Sequence, residues 1–266
     1  MKKRSKIRIF AGKIYFRIKR FLYWNFSNVN FANQILKQTL TNEIFSHQTP
    51  LLRKLKQVDE QLQINKVNNL KIAIKKLNGL AIEPGQTFSY WKLIGNPTKR
   101  KGYLPGMILF NGKVKSGIGG GLCQLSNLLY WMTLHTPLKV TERWRHGYDV
   151  FPDTRRTQPF GSGATCSYPN IDLQIYNPTK QTFQLKLAVG QEDLIGEWRS
   201  DEPINFRYEI IEKDHHIQSE LLGGYSRYNN IFRNVNDKSS NKFIKQEFVT
   251  GNKAIMMYEP LLENKE

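Results

Sequence analysis

The sequence of 266 residues has little cysteine, few acidic residues and no long apolar segment. Two cysteines cannot form a disulfide framework, so the fold must depend on an ordinary hydrophobic core. Apolar runs such as residues 128–132 are far shorter than the roughly 18 residues that a membrane-spanning helix needs. Basic residues at positions 13, 17, 19 and 20 interrupt the apolar segment that a secretory signal requires. These absences predict a protein that is cytoplasmic or peripheral at the inner face of a membrane.

Acidic residues are scarcest at the start of the chain, where positive charge is concentrated. Against 22 acidic residues the sequence has 40 lysine and arginine residues, which gives a formal net charge of +18. Nine of the basic residues fall within residues 2–20, and the first acidic residue is Glu43. At helical spacing, one face of this segment is apolar and most of the basic side chains lie outside it. The apolar face comprises Ile7, Phe10, Ala11, Ile14, Ile18, Phe21 and Leu22.

We therefore predict a basic amphipathic leader helix over residues 1–25. Such a helix can lie on an anionic membrane surface, with residues 1–24 in contact with the lipid. The alternative is that its apolar face packs on the body of the protein and that its charges are only solvated. A nucleic-acid partner is not expected, because none of the usual binding motifs accompanies the charge.

The rest of the chain predicts an α+β fold with its helices early. Residues 26–65 are predicted to be a helical lead-in, and a helix over residues 65–77 is predicted to end at the capping signal Asn78-Gly79. Residues 66–200 are predicted to form a mixed α/β core, in which a glycine loop leads into a helix that carries a cysteine. Residues 201–266 are predicted to form a β-rich extension, with separate strands at 243–249 and 254–258.

The segment that points most clearly to chemistry is residues 117–126, GIGGGLCQLS, because it puts Cys123 in the first turn of a helix. At that position the unpaired backbone N–H groups and the helix dipole favour an anion, so we expect a lowered thiol pKa and a nucleophilic cysteine. The alternative is a small buried cysteine at a helix start.

Four residues beside the cysteine are candidate substrate-binding groups: Gly119, Gly120, Gly121 and Gln124. The glycines would let a substrate backbone come close, and backbone N–H groups at residues 122–124 would donate to a developing oxyanion.

A thiolate nucleophile needs a general base, and the chain offers five histidines. His135 is predicted to lie on the cysteine helix, about 18 Å along it at 1.5 Å per residue, which is too far for contact with Cys123. His146 follows a strand that begins just after this helix, so the chain can return towards the helix start. We therefore choose His146 as the catalytic base, the alternative being an exposed or structural histidine in a basic turn.

The group that would orient the imidazole is left open among Asp149, Asp153 and Asp172. Cys166 is predicted to be a core side chain within a strand. No metal site is predicted, because no pair among the two cysteines and His146 has the spacing of zinc ligands. No cofactor is predicted either, because the glycine loop lacks the further residues of a nucleotide-binding motif.

Several short motifs follow one another along the chain. They are NGLAIEPGQTFS at 78–89, GIGGGLCQLSNLL at 117–129, HTPL at 135–138, Glu142-Arg143 with His146, and GSGAT at 161–165. In this order, and over about residues 66–200, they resemble the VanW family, which is associated with the cell envelope and with glycopeptide resistance.

The resemblance implies a specific chemistry as well as a family. Some envelope proteins with this domain are associated with L,D-transpeptidase activity, which proceeds through a cysteine acyl-enzyme, and Cys123 occupies the matching position. The implied partner is a peptidoglycan stem peptide or its precursor. The alternative is a non-catalytic accessory or ligand-binding protein at the membrane surface, in which the glycine loop holds a carboxylate or phosphate group.

Overall fold

The computed structural model describes residues 5–52, 59–110, 112–150, 158–221 and 223–259. The helices are α1 Lys6–Phe26, α2 Glu60–Leu77, α3 Tyr90–Ile94 and α4 Cys123–Leu134, with a 3-10 turn at Lys99–Lys101. The strands are β1 Asn42–Pro50, β2 Ala81–Ile82, β3 Thr87–Ser89, β4 Pro105–Phe110, β5 Lys113–Ile118, β6 Lys139–Glu142, β7 Tyr148–Asp149, β8 Gln174–Tyr176, β9 Phe183–Val189, β10 Asp193–Ser200, β11 Phe206–Ser219, β12 Tyr225–Asp237 and β13 Phe243–Met256. The helices come early and strands dominate the second half, which confirms the α+β class.

The predicted helical lead-in over residues 26–65 is wrong where the structure has β1. This strand mostly alternates between partly buried and exposed residues, and it pairs antiparallel with β10 along its length. Pairing with a distant strand decides the conformation here, and no local pattern in the sequence reveals that partner. Helix α2 begins only at Glu60, where the Asp59 side chain accepts a hydrogen bond from the backbone N–H of Gln61 at 2.9 Å.

One hydrophobic core joins the helices to a four-stranded sheet of order β1-β10-β9-β2. Helix α2 packs on β9, and α4 packs on β10 and β1. The buried side chains include Leu70 and Leu77 of α2, Leu125 and Leu129 of α4, and Trp198 of β10. Because the helical residues recur at the spacing of one helix face, each helix presents a continuous apolar surface to the sheet.

The β-rich C-terminal part is confirmed. Strands β11, β12 and β13 form an antiparallel sheet, and the short β7 joins β13 in parallel. The two strands predicted at 243–249 and 254–258 are one strand, because Gly251 and Asn252 continue the pairing with Asn230 and Asn229 of β12. Register shifts in this pairing take up the irregularity that the sequence suggests as a turn.

Of the leader helix predicted over residues 1–25, residues 1–4 lie outside the described residues, and the chain is helical from Lys6 in α1. Only part of α1 contacts the body. Trp24 near its end is 6% exposed, whereas Ile7 near its start is 81% exposed. The alternative in which the apolar face packs on the body is therefore wrong for the described residues. None of the helices in the described ranges combines the length and the apolar character that crossing a bilayer requires.

Candidate active site

The start of α4 rests on a hairpin and on α2. The hairpin of β4 and β5 leads through the glycine turn directly into α4. Asn69 of α2, which is fully buried, fixes this turn. Its side-chain amide donates to the carbonyl oxygens of Leu104 at 3.0 Å and Gly120 at 2.9 Å, and it accepts from the Leu104 N–H at 2.8 Å. Helix α2 therefore fixes the position of the start of α4, and with it the position of Cys123.

The glycines before α4 pack against the protein itself. A side chain at Gly120 would meet the backbone of Gly106 at 2.1 Å, so not even a methyl group fits. Gly121 has a φ of +89°, and a side chain there would meet the Lys66 stem at 2.2 Å. Packing within the chain accounts for both glycines, and a contact between them and a substrate stays a prediction.

The backbone N–H groups of the glycine turn are already used within the protein. Those of Gly119, Gly120 and Gly121 donate to the carbonyl oxygens of Leu104, Gly117 and Met107. The N–H of Gln124 donates to the carbonyl oxygen of Gly121 at 3.0 Å. Closing the turn uses these donors, so of the three N–H groups expected to hold an oxyanion, at residues 122–124, that of Gln124 is engaged within the protein. Within the described ranges, the N–H groups of Leu122 and Cys123 have no backbone acceptor.

The side chain of Gln124 also supports the fold. Its Nε2 atom donates to Oγ1 of Thr49 at 3.0 Å and to the carbonyl oxygen of Pro50 at 2.9 Å. These bonds fasten the first turn of α4 to β1, the strand that the sequence pattern does not indicate. A role of Gln124 in substrate binding stays a prediction.

His146 comes close to Cys123 because two segments pair beside α4. After α4 the chain returns along β6, and the residues that follow run antiparallel to residues 163–166. The N–H of Thr165 donates to the carbonyl oxygen of Trp144 at 2.8 Å. The partly buried imidazole of His146 then lies near enough to the Cys123 thiol to influence its ionisation. The structure brings these two predicted site residues together.

Cys166 lies against Cys123, and the sequence pattern does not indicate this contact. Ser126 of α4 donates from its hydroxyl to the carbonyl oxygen of Ala164 at 2.6 Å, so residues 164–166 run along the first turns of α4. The two sulfur atoms are 3.8 Å apart, and the Cys123 sulfur is 3.5 Å from the carbonyl oxygen of Cys166. Cys123 is partly exposed and Cys166 is buried, so Cys123 is the more exposed residue of the pair.

The pKa of Cys123 lies well below its usual range. The largest cause is a hydrogen bond with the Cys166 thiol, while burial acts in the opposite direction and raises the pKa. Hydrogen bonding and positive charge from His146 lower the pKa of Cys123 further. Burial raises the pKa of Cys166, and the neighbouring Cys123 raises it again. Cys123 is therefore the more acidic thiol of the pair.

Two of the three candidate carboxylates for orienting the imidazole are engaged elsewhere. Asp172 is fully buried and accepts from the Ser89 hydroxyl at 2.5 Å, which supports the start of α3, and burial raises its pKa to about 6. Asp149 accepts from the Tyr258 hydroxyl at 2.9 Å. Asp153 lies outside the described residues.

In the part of the chain that the structure describes, no three histidine, cysteine, aspartate or glutamate side chains group as metal ligands do.

The sequence reasoning missed two neighbours of the helix start, Cys166 and Tyr90. Tyr90 is fully buried and donates from its hydroxyl to the carbonyl oxygen of Leu122 at 2.9 Å. Both lie far from Cys123 along the chain, so no local spacing relates them to it. The one hint in the sequence is that the chain has only two cysteines.

The order of motifs has counterparts in known proteins. A family model described as VanW like protein matches residues 65–199. The chain is 35% identical over 239 residues to the vancomycin B-type resistance protein VanW of Enterococcus faecalis, which covers 90% of this chain and 86% of that protein. It is 27% identical over 146 residues to the uncharacterized protein YoaR of Bacillus subtilis, which covers 55% of this chain and 46% of that protein. No solved structure matches the chain.

Proposed function

We propose that this chain, which belongs to the VanW family, is a cysteine acyl-transferase of the L,D-transpeptidase type that acts on peptidoglycan stem peptides or their precursors. The name of the E. faecalis relative refers to vancomycin resistance, and this supports a substrate from the cell envelope. The observation that carries the proposal is an acidic, partly exposed Cys123 at a helix start, with His146 beside it.

The first half of the reaction forms a thioester. His146 takes the proton of the Cys123 thiol, and the sulfur attacks the carbonyl carbon of a donor stem peptide. The electron pair of the C=O bond moves onto the oxygen as the new S–C bond forms. The N–H groups of Leu122 and Cys123 can donate to this oxygen, since neither has a backbone acceptor in the described residues. Collapse of the intermediate breaks the amide bond, and the departing amine takes the proton from His146.

The second half transfers the acyl group to an acceptor. The amine of a second stem peptide attacks the thioester carbonyl, and His146 takes the proton that this amine loses. Collapse of the second intermediate forms the new amide and breaks the S–C bond, and His146 returns the proton to the sulfur of Cys123. One amide is broken and one is formed, so the reaction needs no oxidant or reductant.

Alkylation of the full chain tests the nucleophile. With iodoacetamide near pH 6.5, Cys123 is expected to react at least about tenfold faster than Cys166 and than either thiol in the denatured chain. Equal rates for Cys123 and the denatured-chain thiols would contradict the proposal.

Trapping the intermediate tests the reaction. Incubation with a soluble peptidoglycan stem peptide is expected to add the acyl group to Cys123, detected by intact mass and by peptide mapping. The matched control is Cys123→Ala, which removes the nucleophile. Because this position is partly exposed, the variant is expected to fold like the wild type. An adduct of the same yield in Cys123→Ala, or no adduct on a fast-alkylating wild-type protein, would contradict transferase activity on this substrate.

A further inference from the structure

Helix α1 is attached to the body through its second half. The guanidinium of Arg20 donates to both carboxylate oxygens of Glu142, at 2.7 and 2.6 Å, and to the carbonyl oxygen of Asn170 at 2.7 Å. The Tyr23 hydroxyl donates to Oε1 of Gln174 at 2.9 Å. Burial alone would raise the pKa of Glu142, but the hydrogen bonds, chiefly from Arg20, outweigh burial and lower it. The second half of α1 is thus part of the folded body.

The large apolar side chains on one face of α1 are exposed, and the ring contact of Phe21 with Trp24 lies within the helix itself. These exposed side chains are Ile7, Phe10, Ile14, Ile18, Phe21 and Leu22, which we call the apolar stripe. Their exposed fractions range from 42% for Phe21 to 81% for Ile7. At 3.6 residues per turn these side chains share one side of the helix, and Arg20 lies well outside that side. A contiguous exposed apolar surface of this kind marks an interaction site.

Positive charge borders the apolar stripe. Helix α1 contains six basic residues and no acidic residue, and the first acidic residue of the chain is Glu43. The side chains of Arg8, Lys13 and Lys19 are exposed. Apolar side chains flanked by basic ones match the two layers of an anionic lipid surface, the acyl boundary and the phosphate headgroups. A second copy of α1 would instead bring like charge against like charge.

We propose that α1 is an interfacial anchor, which lies in the plane of an anionic lipid bilayer with the apolar stripe inserted and the flanking basic side chains on the headgroups. The proposal concerns where the chain binds and does not depend on the chemistry of Cys123. Arg20 also connects the anchor to the candidate active site. Its partner Glu142 ends the strand that leads to His146, and its partner Asn170 follows shortly after Cys166.

Co-sedimentation of the full chain with vesicles tests the lipid partner. One set contains phosphatidylglycerol and phosphatidylcholine in equal parts, and the other contains phosphatidylcholine alone. At low ionic strength, binding to the anionic vesicles is expected to be at least about tenfold tighter, and to weaken as salt is raised to about 0.5 M. Equal binding to both vesicle types would overturn the proposal.

Two matched substitutions test the apolar stripe. Phe10→Asp and Phe16→Asp each remove one exposed phenyl group, 64% and 54% exposed, and each adds one negative charge. Only Phe10 belongs to the stripe, since Phe16 lies on another side of the helix. Phe10→Asp is expected to weaken binding to anionic vesicles at least about tenfold, and Phe16→Asp less than about threefold.

Other outcomes would overturn the assignment. Equal losses in the two variants would mean that net charge alone governs binding. The protein could also fail to bind vesicles and form a dimer without lipid. If Phe10→Asp then converted this dimer to a monomer, the stripe would be assigned to contact with a second copy of the chain. Unchanged alkylation of Cys123 in both variants serves as the check that the body is folded, so a failure of the anchor is distinguishable from a failure of the proposed function.

Discussion

The sulfur of Cys123 lies 3.8 Å from the sulfur of Cys166, and the two thiols differ in acidity. Cys123 is partly exposed with a lowered pKa, whereas Cys166 is buried with a raised pKa. The helix start and His146 both favour negative charge on Cys123, so Cys166 acts as the hydrogen-bond donor of the pair. This makes Cys166 a positioning residue for the thiolate rather than an independent nucleophile.

Replacement of Cys166 tests this relationship. Cys166→Ala removes the largest contribution to the lowered pKa of Cys123, so alkylation of Cys123 near neutral pH is expected to slow several-fold. Cys166→Ser is the control, because its hydroxyl keeps a donor at the same position, and its rate is expected to stay closer to that of the wild type. The measurement is the pH dependence of the iodoacetamide rate. An unchanged pH profile in Cys166→Ala would show that Cys166 does not stabilise the thiolate.

His146→Gln is expected to affect both ionisation and turnover. Loss of the imidazole removes a hydrogen bond and a positive charge that lower the pKa of Cys123, so alkylation near neutral pH slows. Acyl transfer is expected to fall by about a hundredfold or more, because no base remains to move the proton. His216→Gln, at an exposed position on β11, is the control and is expected to leave both rates unchanged. The same loss in both variants would remove His146 from the mechanism.

Gly120→Ala is expected to destabilise the protein by about 1–3 kcal/mol, because the new methyl group would meet the Gly106 backbone. Gly147→Ala is the matched control. A side chain there meets nothing within 4 Å, so its effect is expected to stay within about 0.5 kcal/mol. Urea unfolding of the two variants and the wild type gives the comparison. Equal stability of the two variants would mean that the glycine turn relaxes away from the hairpin.

Asp172 makes folding stability depend on pH. Burial raises its pKa from 3.8 to about 6, so the folded protein keeps a proton over this range that the unfolded chain releases. Stability from this group is therefore highest below about pH 4 and falls as pH rises to 6, by on the order of 3 kcal/mol. Asp172→Asn should abolish this component. The measurement is the difference in unfolding free energy between the wild type and Asp172→Asn at several pH values. A difference is needed because Glu142, whose pKa is lowered, changes the stability of both proteins with the opposite sign. A constant difference across the range would contradict the assignment.

Local patterns in the sequence predict the parts of the fold that depend on neighbouring residues. The apolar spacing of Leu125 and Leu129 indicates α4, and the charge pattern of residues 2–20 indicates α1 as a helix. The return of the chain from α4 through β6 is also readable, because a strand that follows a helix runs back along it. This is why the sequence alone indicates His146 as the neighbour of Cys123.

Contacts between segments that are distant along the chain cannot be predicted from local sequence patterns. β1 is a strand because β10 pairs with it, and that partner lies far along the chain. Cys166 meets Cys123 because Ser126 and Trp144 hold residues 164 and 165 from two sides, which no spacing of cysteines expresses. The backbone N–H groups of the glycine turn are engaged for a related reason, since the hairpin strand carrying Met107 accepts from one of them, that of Gly121.

The contacts of Arg20 make the second half of α1 part of the folded body, so the projecting part of the chain ends within α1 and not at the end of the helix. A protease that removed the whole helix would also remove the buried Trp24, and it would leave Glu142 without its counter-charge in a largely enclosed position. Cleavage before Arg17 would spare these contacts and discard only the freely projecting turns. A chain that lacks the entire helix therefore has two defects. It loses the proposed lipid-binding surface, and it loses contacts that stabilise the segments around the Cys123 thiol.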